Sequence, residues 1–203
     1  LSDPAAGPQL VEALSDGNDQ VRACAIWGLW RLDDRSEEVE IRRFAGHSGD
    51  AFSAAARLSA RWVMHRRGEA GFGALFVQEL SIRAGQSMAA TPISWGLRLC
   101  AEAGSPDCTP ALALASRHPT FVVRRAVLDL VERAPQRQHV PLLLGLVADP
   151  IPSIARRAKA ALVVLSGRPE LRGVVAWRRW WQEQGPGLAE AATATELSGP
   201  PNR

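Results

Sequence analysis

One pattern recurs along this chain and limits what it can become. An apolar helical segment is followed by a short polar turn, then by a second helical segment that opens, in the clearest copies, with an aliphatic residue and Arg. A two-helix unit of this kind cannot bury both helices alone and must stack on its neighbours to close a core. The first copy runs over residues 9–14, turns through Ser15-Asp16-Gly17-Asn18-Asp19 and continues from Val21-Arg22 to Leu32. Ser, Asp and Asn in that turn supply side-chain oxygens suited to capping a helix start. The last two copies keep the plan over 111–133 and 141–165, turning at Arg117-His118-Pro119 and at Asp149-Pro150, and both carry Arg-Arg-Ala at the same place.

Taking Val21, Phe52, Ala89, Val122 and Ile154 as the first inward residue of each second helix gives separations of 31, 37, 33 and 32 residues. The copies then occupy about 5–34, 37–67, 72–103, 108–135 and 139–167. Copies two and three depart furthest from the pattern, although Ser94-Trp95-Gly96-Leu97 echoes Ile26-Trp27-Gly28-Leu29 one register along. No β-branched alternation competes with the helical period, Tyr is absent, and the chain is rich in the helix formers Ala, Leu and Arg. The fold class is therefore all-α.

Leu10, Leu14, Asp16, Val21-Arg22, Ala25 and Leu29, and again Asp149, Ile154, Arg156 and Ala158, resemble the HEAT repeat superfamily in the short bacterial form also found in phycobilisome lyases. The resemblance covers residues 5–166. It implies a right-handed α-α superhelix, a HEAT/armadillo-like solenoid of about five helical hairpins whose second helices line a concave face. Ala25, Ala56, Ala126 and Ala158 would let helices approach closely. One domain over 1–184 is expected, closed by a capping helix over 171–184. Trp177, Trp180 and Trp181 at i, i+3 and i+4 would form the sealing face, with Arg178, Arg179 and Glu183 on or near the outside. Beyond Gly185-Pro186-Gly187 the composition predicts a mobile tail over 185–203.

Catalytic constellations are scarce. His47, His65, His118 and His139 fall in separate turns or at helix ends, with His118 before Pro119 reading as a turn residue. No His-Glu dipeptide matches the iron-binding pairs of deoxyhypusine hydroxylases, and two cysteines without a second pair make no zinc site. Alkylpurine DNA glycosylases of HEAT-like build use a Trp, a carboxylate and an Arg on a basic surface. Trp30 with Asp33 or Asp34 offers the first two, but at a helix end with no family motif around them. Bilin lyase activity rests on the repeat type alone. The reading is a non-enzymatic scaffold, with no cofactor and no metal.

Helical phase collects Trp30, Arg57, Arg61, Arg98, Arg124, Arg156 and Lys159 opposite the inward residues of the second helices, and no Asp or Glu falls in that stripe. The expected function is protein–protein interaction through this concave ridge, with a partner of acidic surface. The alternative is nucleic-acid binding through phosphate contacts by the same arginines. Composition argues for restraint: Lys159 is the sole lysine among 24 basic residues, so Arg occupies nearly every cationic position, and the net charge is only +3. Some of these arginines are equally suited to pairing within the stack, as Arg22 with Asp16.

Cys24 lies in an apolar helical pattern and reads as a buried free thiol. Cys100 and Cys108 flank a turn, placed either to bridge in an oxidising compartment or to remain thiols in a reducing one. With no apolar run near the ~20 residues of a membrane-spanning helix, no membrane insertion is expected. The expected location is cytoplasmic, or periplasmic or secreted if a leader was removed.

Overall fold

The computed structural model of the protein describes residues 4–47, 54–86 and 90–183. Every regular element among them is helical. In order these are α1 (Gly7–Ala13), α2 (Asp19–Arg31), α3 (Glu38–Gly46), α4 (Ala54–Arg66), α5 (Phe72–Ala84), α6 (Ala90–Cys100), α7 (Thr109–Ala115), α8 (Phe121–Arg133), α9 (Val140–Leu146) and α10 (Pro152–Ser166). A further helix, α11, occupies 173–183, and single 3-10 turns precede α1 and α9. The anchors Phe52 and Ala89 and the tail over 185–203 lie outside the described residues. None of the described helices is long and apolar enough to cross a membrane.

Local chemistry sets the helix starts. Asn18 accepts the Gln20 N–H at 2.9 Å to cap α2, and Asp16 accepts the Asn18 N–H at 2.6 Å. Proline stands in the first turn of α1, α7, α9 and α10, where its missing N–H removes no helical bond. At the C-terminus of α10, Gly167 takes the left-handed conformation (φ 67°) that ends many helices.

The chain divides into two compact units, 1–135 and 136–203. In the first, α2 packs on α4, α4 on α6 and α6 on α8, so the even-numbered helices form one row. On the other side α1 lies against α2, α3 against α4, and α5 against α4, α6 and α7. Asp19 stitches the row from one hairpin to the next, its carboxylate accepting the Ala55 and Ala56 N–H groups at 2.7 and 3.1 Å. Ile26, Leu29, Leu58, Trp62, Phe76, Leu80, Ile93 and Leu97 are shut away from solvent. Gly96 lets α6 settle on this core, since a Cβ there would stand 2.6 Å from Leu80 Cδ1. A disulfide joins Cys100 to Cys108 across 6.2 Å between Cα atoms and closes the loop between α6 and α7.

In the second unit α9 packs against α10, burying Val140, Leu143, Leu146, Ile154, Ala158 and Leu162. Trp177 and Trp180 of α11 are buried and meet edge to face at 6.1 Å, and Trp181 lies 6.0 Å from Trp180 and is partly exposed. Arg178, Arg179 and Glu183 face solvent.

Three expectations need correction. Val21 is not inward: it is 38% exposed, and α2 buries Ala23, Ala25, Ile26 and Leu29 instead. Cys24 is a free but exposed thiol, because the same phase turns it away from the core. Arg22 does not pair with the Asp16 carboxylate. It donates to the Asp16 carbonyl at 2.6 Å and reaches the Asp19 carboxylate at 3.4 Å.

Candidate functional site on the even-helix row

The expected ridge was to be an exposed, acid-free stripe of cations, and α4 departs from that first. Arg57 is only 4% exposed. Its guanidinium donates from Nη2 to Glu79 Oε1 at 2.7 Å and from Nε to both carboxylate oxygens at 3.0 Å. Arg61 Nη1 donates to Glu79 Oε2 at 2.8 Å, and Arg83 Nε donates to Oε1 at 2.9 Å. Arg61 also reaches the Ala45 carbonyl at 3.0 Å, tying α3 to the cluster. Burial by itself would push the Glu79 carboxyl up, but the hydrogen bonds from Arg57 and Arg83 and the charges of Arg57 and Arg61 outweigh it. Its pKa stands below the ordinary carboxylate value. The stripe is thus acid-free only along its own helix: α5 supplies the carboxylate that draws both α4 arginines inward.

Arg124 on α8 is likewise turned into the fold, 9% exposed, its Nη1 donating to the His118 and Pro119 carbonyls at 2.7 Å each. His118 reinforces this turn. Its Nδ1 accepts the Thr120 N–H at 3.0 Å, which leaves Nε2 as the donor to the Gln86 carbonyl at 2.8 Å. Trp30 packs edge on against Trp62, ring centroids 4.6 Å apart, with the Arg66 guanidinium 5.4 and 5.7 Å from the two rings. Trp62 Nε1 donates to Ser105 Oγ at 2.8 Å, and that hydroxyl donates to the Leu99 carbonyl at 2.7 Å. Arg66 also donates to the Ala103 carbonyl, so the disulfide-closed loop is fastened to the C-terminal end of α4. Asp33 is exposed at φ 54°, and Asp34 caps the following turn through the Ser36 N–H at 2.8 Å.

Arg98 stands apart from these. It is exposed, and its guanidinium rests 5.8 Å from the Trp27 ring and 5.5 Å from the Trp95 ring, themselves edge to face at 6.5 Å. Arg31 covers Trp27 from its own helix at 5.4 Å. Trp95 is fixed by donating to the buried Ser59 hydroxyl at 2.7 Å. A cation held on aromatic faces is attracted by the ring quadrupole, at exposed sites by about 0.5–1 kcal/mol. From Arg98 the surface continues into a cleft of about 210 Å³ between α6 and α8, whose polar lining is Ser94, Arg98, Arg125, Asp129 and Arg133. The Ser94 hydroxyl oxygen is buried and has no hydrogen-bond partner among the described residues, as is true of Trp27 Nε1.

Of the seven ridge residues, the structure therefore gathers Arg57 and Arg61 around Glu79, turns Arg124 into a turn and packs Trp30 on Trp62. Arg98 remains on the surface, and Arg156 and Lys159 are exposed in the second unit. Sequence reasoning passed over Trp27, Arg31, Ser94, Arg125 and Arg133. The signal for three of them was present, because Trp27 and Arg31 are spaced i, i+4, as are Arg125 and Asp129. No group of three His, Cys, Asp or Glu able to hold a metal occurs among the described residues. No protein-family model matches the chain, and no curated protein and no solved structure matches it either.

Proposed function

We propose that this protein is a non-enzymatic helical-repeat scaffold of the HEAT type that binds the acidic surface of a protein partner through the even-helix row of its first unit. The observation that carries the reading is the joined patch Arg31–Trp27–Arg98 with the α6/α8 cleft beside it. Exposed arginine on aromatic rings, next to a concave surface, is the composition of a binding hot spot rather than of a solvated helix face. Withdrawal of Arg57, Arg61 and Arg124 from solvent favours a protein over a nucleic acid. A duplex presents a regular row of phosphates and rewards a continuous row of cations, whereas a discrete patch suits one acidic segment.

The test is fluorescence anisotropy with a labelled Asp/Glu-rich peptide and, separately, a labelled DNA duplex. The expected result is saturable peptide binding that Arg31→Glu/Arg98→Glu reduces at least tenfold without unfolding the chain. Tighter binding of the duplex, with a log-log salt slope of several phosphates at ~0.9 each, would move the assignment to nucleic acid.

A further inference from the structure

The α6/α8 cleft is more sharply defined than an acidic partner alone requires. Among the described residues, three guanidiniums, from Arg98, Arg125 and Arg133, line it against one carboxylate, Asp129, an excess of two positive charges. Arg98 is held in place by two indole rings, so little of its freedom remains to be lost on binding. Ser94 on α6 adds a buried hydroxyl whose hydrogen bond is unmade among the described residues. Buried polar groups are ordinarily satisfied, and leaving one unmade is costly. A ligand that brings several acceptor oxygens and about two negative charges answers both features.

Resting on the scaffold reading above, we propose that this cleft receives a phosphorylated side chain of the protein partner. A phosphate monoester carries about −1.5 to −2 charges at pH 7 and three strong acceptor oxygens. Guanidinium forks match those oxygens two at a time, and Ser94 stands in the same lining. A carboxylate brings one charge and two oxygens, which leaves an arginine or the hydroxyl unanswered. A nucleic-acid phosphodiester likewise carries a single charge, and the neighbouring cations that a polynucleotide would track are taken by Glu79 and by the turn before α8.

The first probe is phosphoserine itself, titrated into the full chain and followed by NMR at the Arg Nε–H groups and at the Ser94 amide. Saturable shifts are expected at Arg98, Arg125, Arg133 and Ser94, with affinity at least tenfold above that for acetate. Affinity should fall as pH drops through about 6, where the monoester loses its second charge. Arg125→Gln/Arg133→Gln should bring phosphoserine down to the acetate level, and Ser94→Ala should weaken it several-fold. A phosphoserine-containing acidic peptide should then bind tighter than free phosphoserine, which separates a phosphoprotein from a free phosphate metabolite. Equal affinity for acetate and phosphoserine, or shifts spread without saturation over exposed Arg42 and Arg43 as well, would overturn the proposal. If phosphoserine fails while the unphosphorylated acidic peptide still binds through Arg31 and Arg98, the scaffold reading survives and the phosphate site does not. A duplex that outcompetes the phosphopeptide would overturn both.

Discussion

The α4/α5 contact and the α6/α8 cleft begin from the same material, arginines on the solvent-directed side of a repeat's second helix, and end in opposite states. On α4 the facing helix offers Glu79, and Arg57, Arg61 and Arg83 converge on one carboxylate in a nearly dry contact. Between α6 and α8, Asp129 is the single carboxylate among the described residues that line the cleft, beside three arginines, which keep an excess of positive charge at the surface. An arginine's role in a helical stack is thus decided by what its neighbour brings to the interface, not by its own register. One acid on a first helix converts a prospective binding surface into structure.

The largest expected effect breaks the first side of that comparison. Glu79→Ala takes the shared carboxylate from three largely buried guanidiniums, and removing one partner of a buried ionic cluster typically costs about 3–5 kcal/mol. Urea denaturation of the variant reads this directly, and a loss under 1 kcal/mol would mean the cluster is wet and dispensable. A smaller effect is expected at Arg124, where truncation to Ala strands the His118 and Pro119 carbonyls at a cost of roughly 1–3 kcal/mol. Its neighbour Arg125, exposed in the cleft, should tolerate Ala within about 0.5 kcal/mol. Equal losses at the two positions would erase the distinction between a structural and an available arginine.

The same cluster fixes a pH dependence. The hydrogen bonds and charges of the surrounding arginines hold the folded-state pKa of Glu79 below the ordinary carboxylate value, so the unfolded chain binds its proton more readily. Its stabilisation is therefore fully present above about pH 4.5 and is lost as pH falls through the folded value. Wild-type stability measured from pH 6 downward should decline on that acid limb, and Glu79→Gln should decline less steeply from a lower starting point. An identical limb in both proteins would show that other carboxylates set it.

Much of the architecture was legible because helix pairing is written in local periodicity. The apolar segments, the Asn18 cap and the turns at Gly17, Pro119 and Pro150 all act within a few residues of themselves. Phase was harder to read, since a slip of one residue rotates a helix by about 100°. At the start of α8 two valines stand together. The structure buries Val123 more fully than Val122, which turns Arg124 inward and places Arg125, Asp129 and Arg133 in the cleft. The same ambiguity at Val21 exposed Cys24 and brought Trp27 and Arg31 to the surface row. Glu79's hold on α4 was invisible for a different reason: apart from Arg83 on its own helix, its partners Arg61 and Arg57 lie 18 and 22 residues earlier, on a helix with its own consistent pattern. No periodicity within one helix reports a charge supplied by another.

The division of the arginines into two populations is tested most directly by modifying the native protein with an arginine-selective dicarbonyl reagent and locating the adducts by mass spectrometry. Arg125, Arg133 and Arg98 should react rapidly in the folded chain, while Arg57, Arg61 and Arg124 should stay unmodified until denaturant is added. Phosphoserine should protect the first three and leave the pattern elsewhere unchanged. Labelling of Arg57 and Arg61 at the rate of Arg125 would contradict the account, because it would mean that Glu79 does not hold them and that the basic surface runs unbroken across α4.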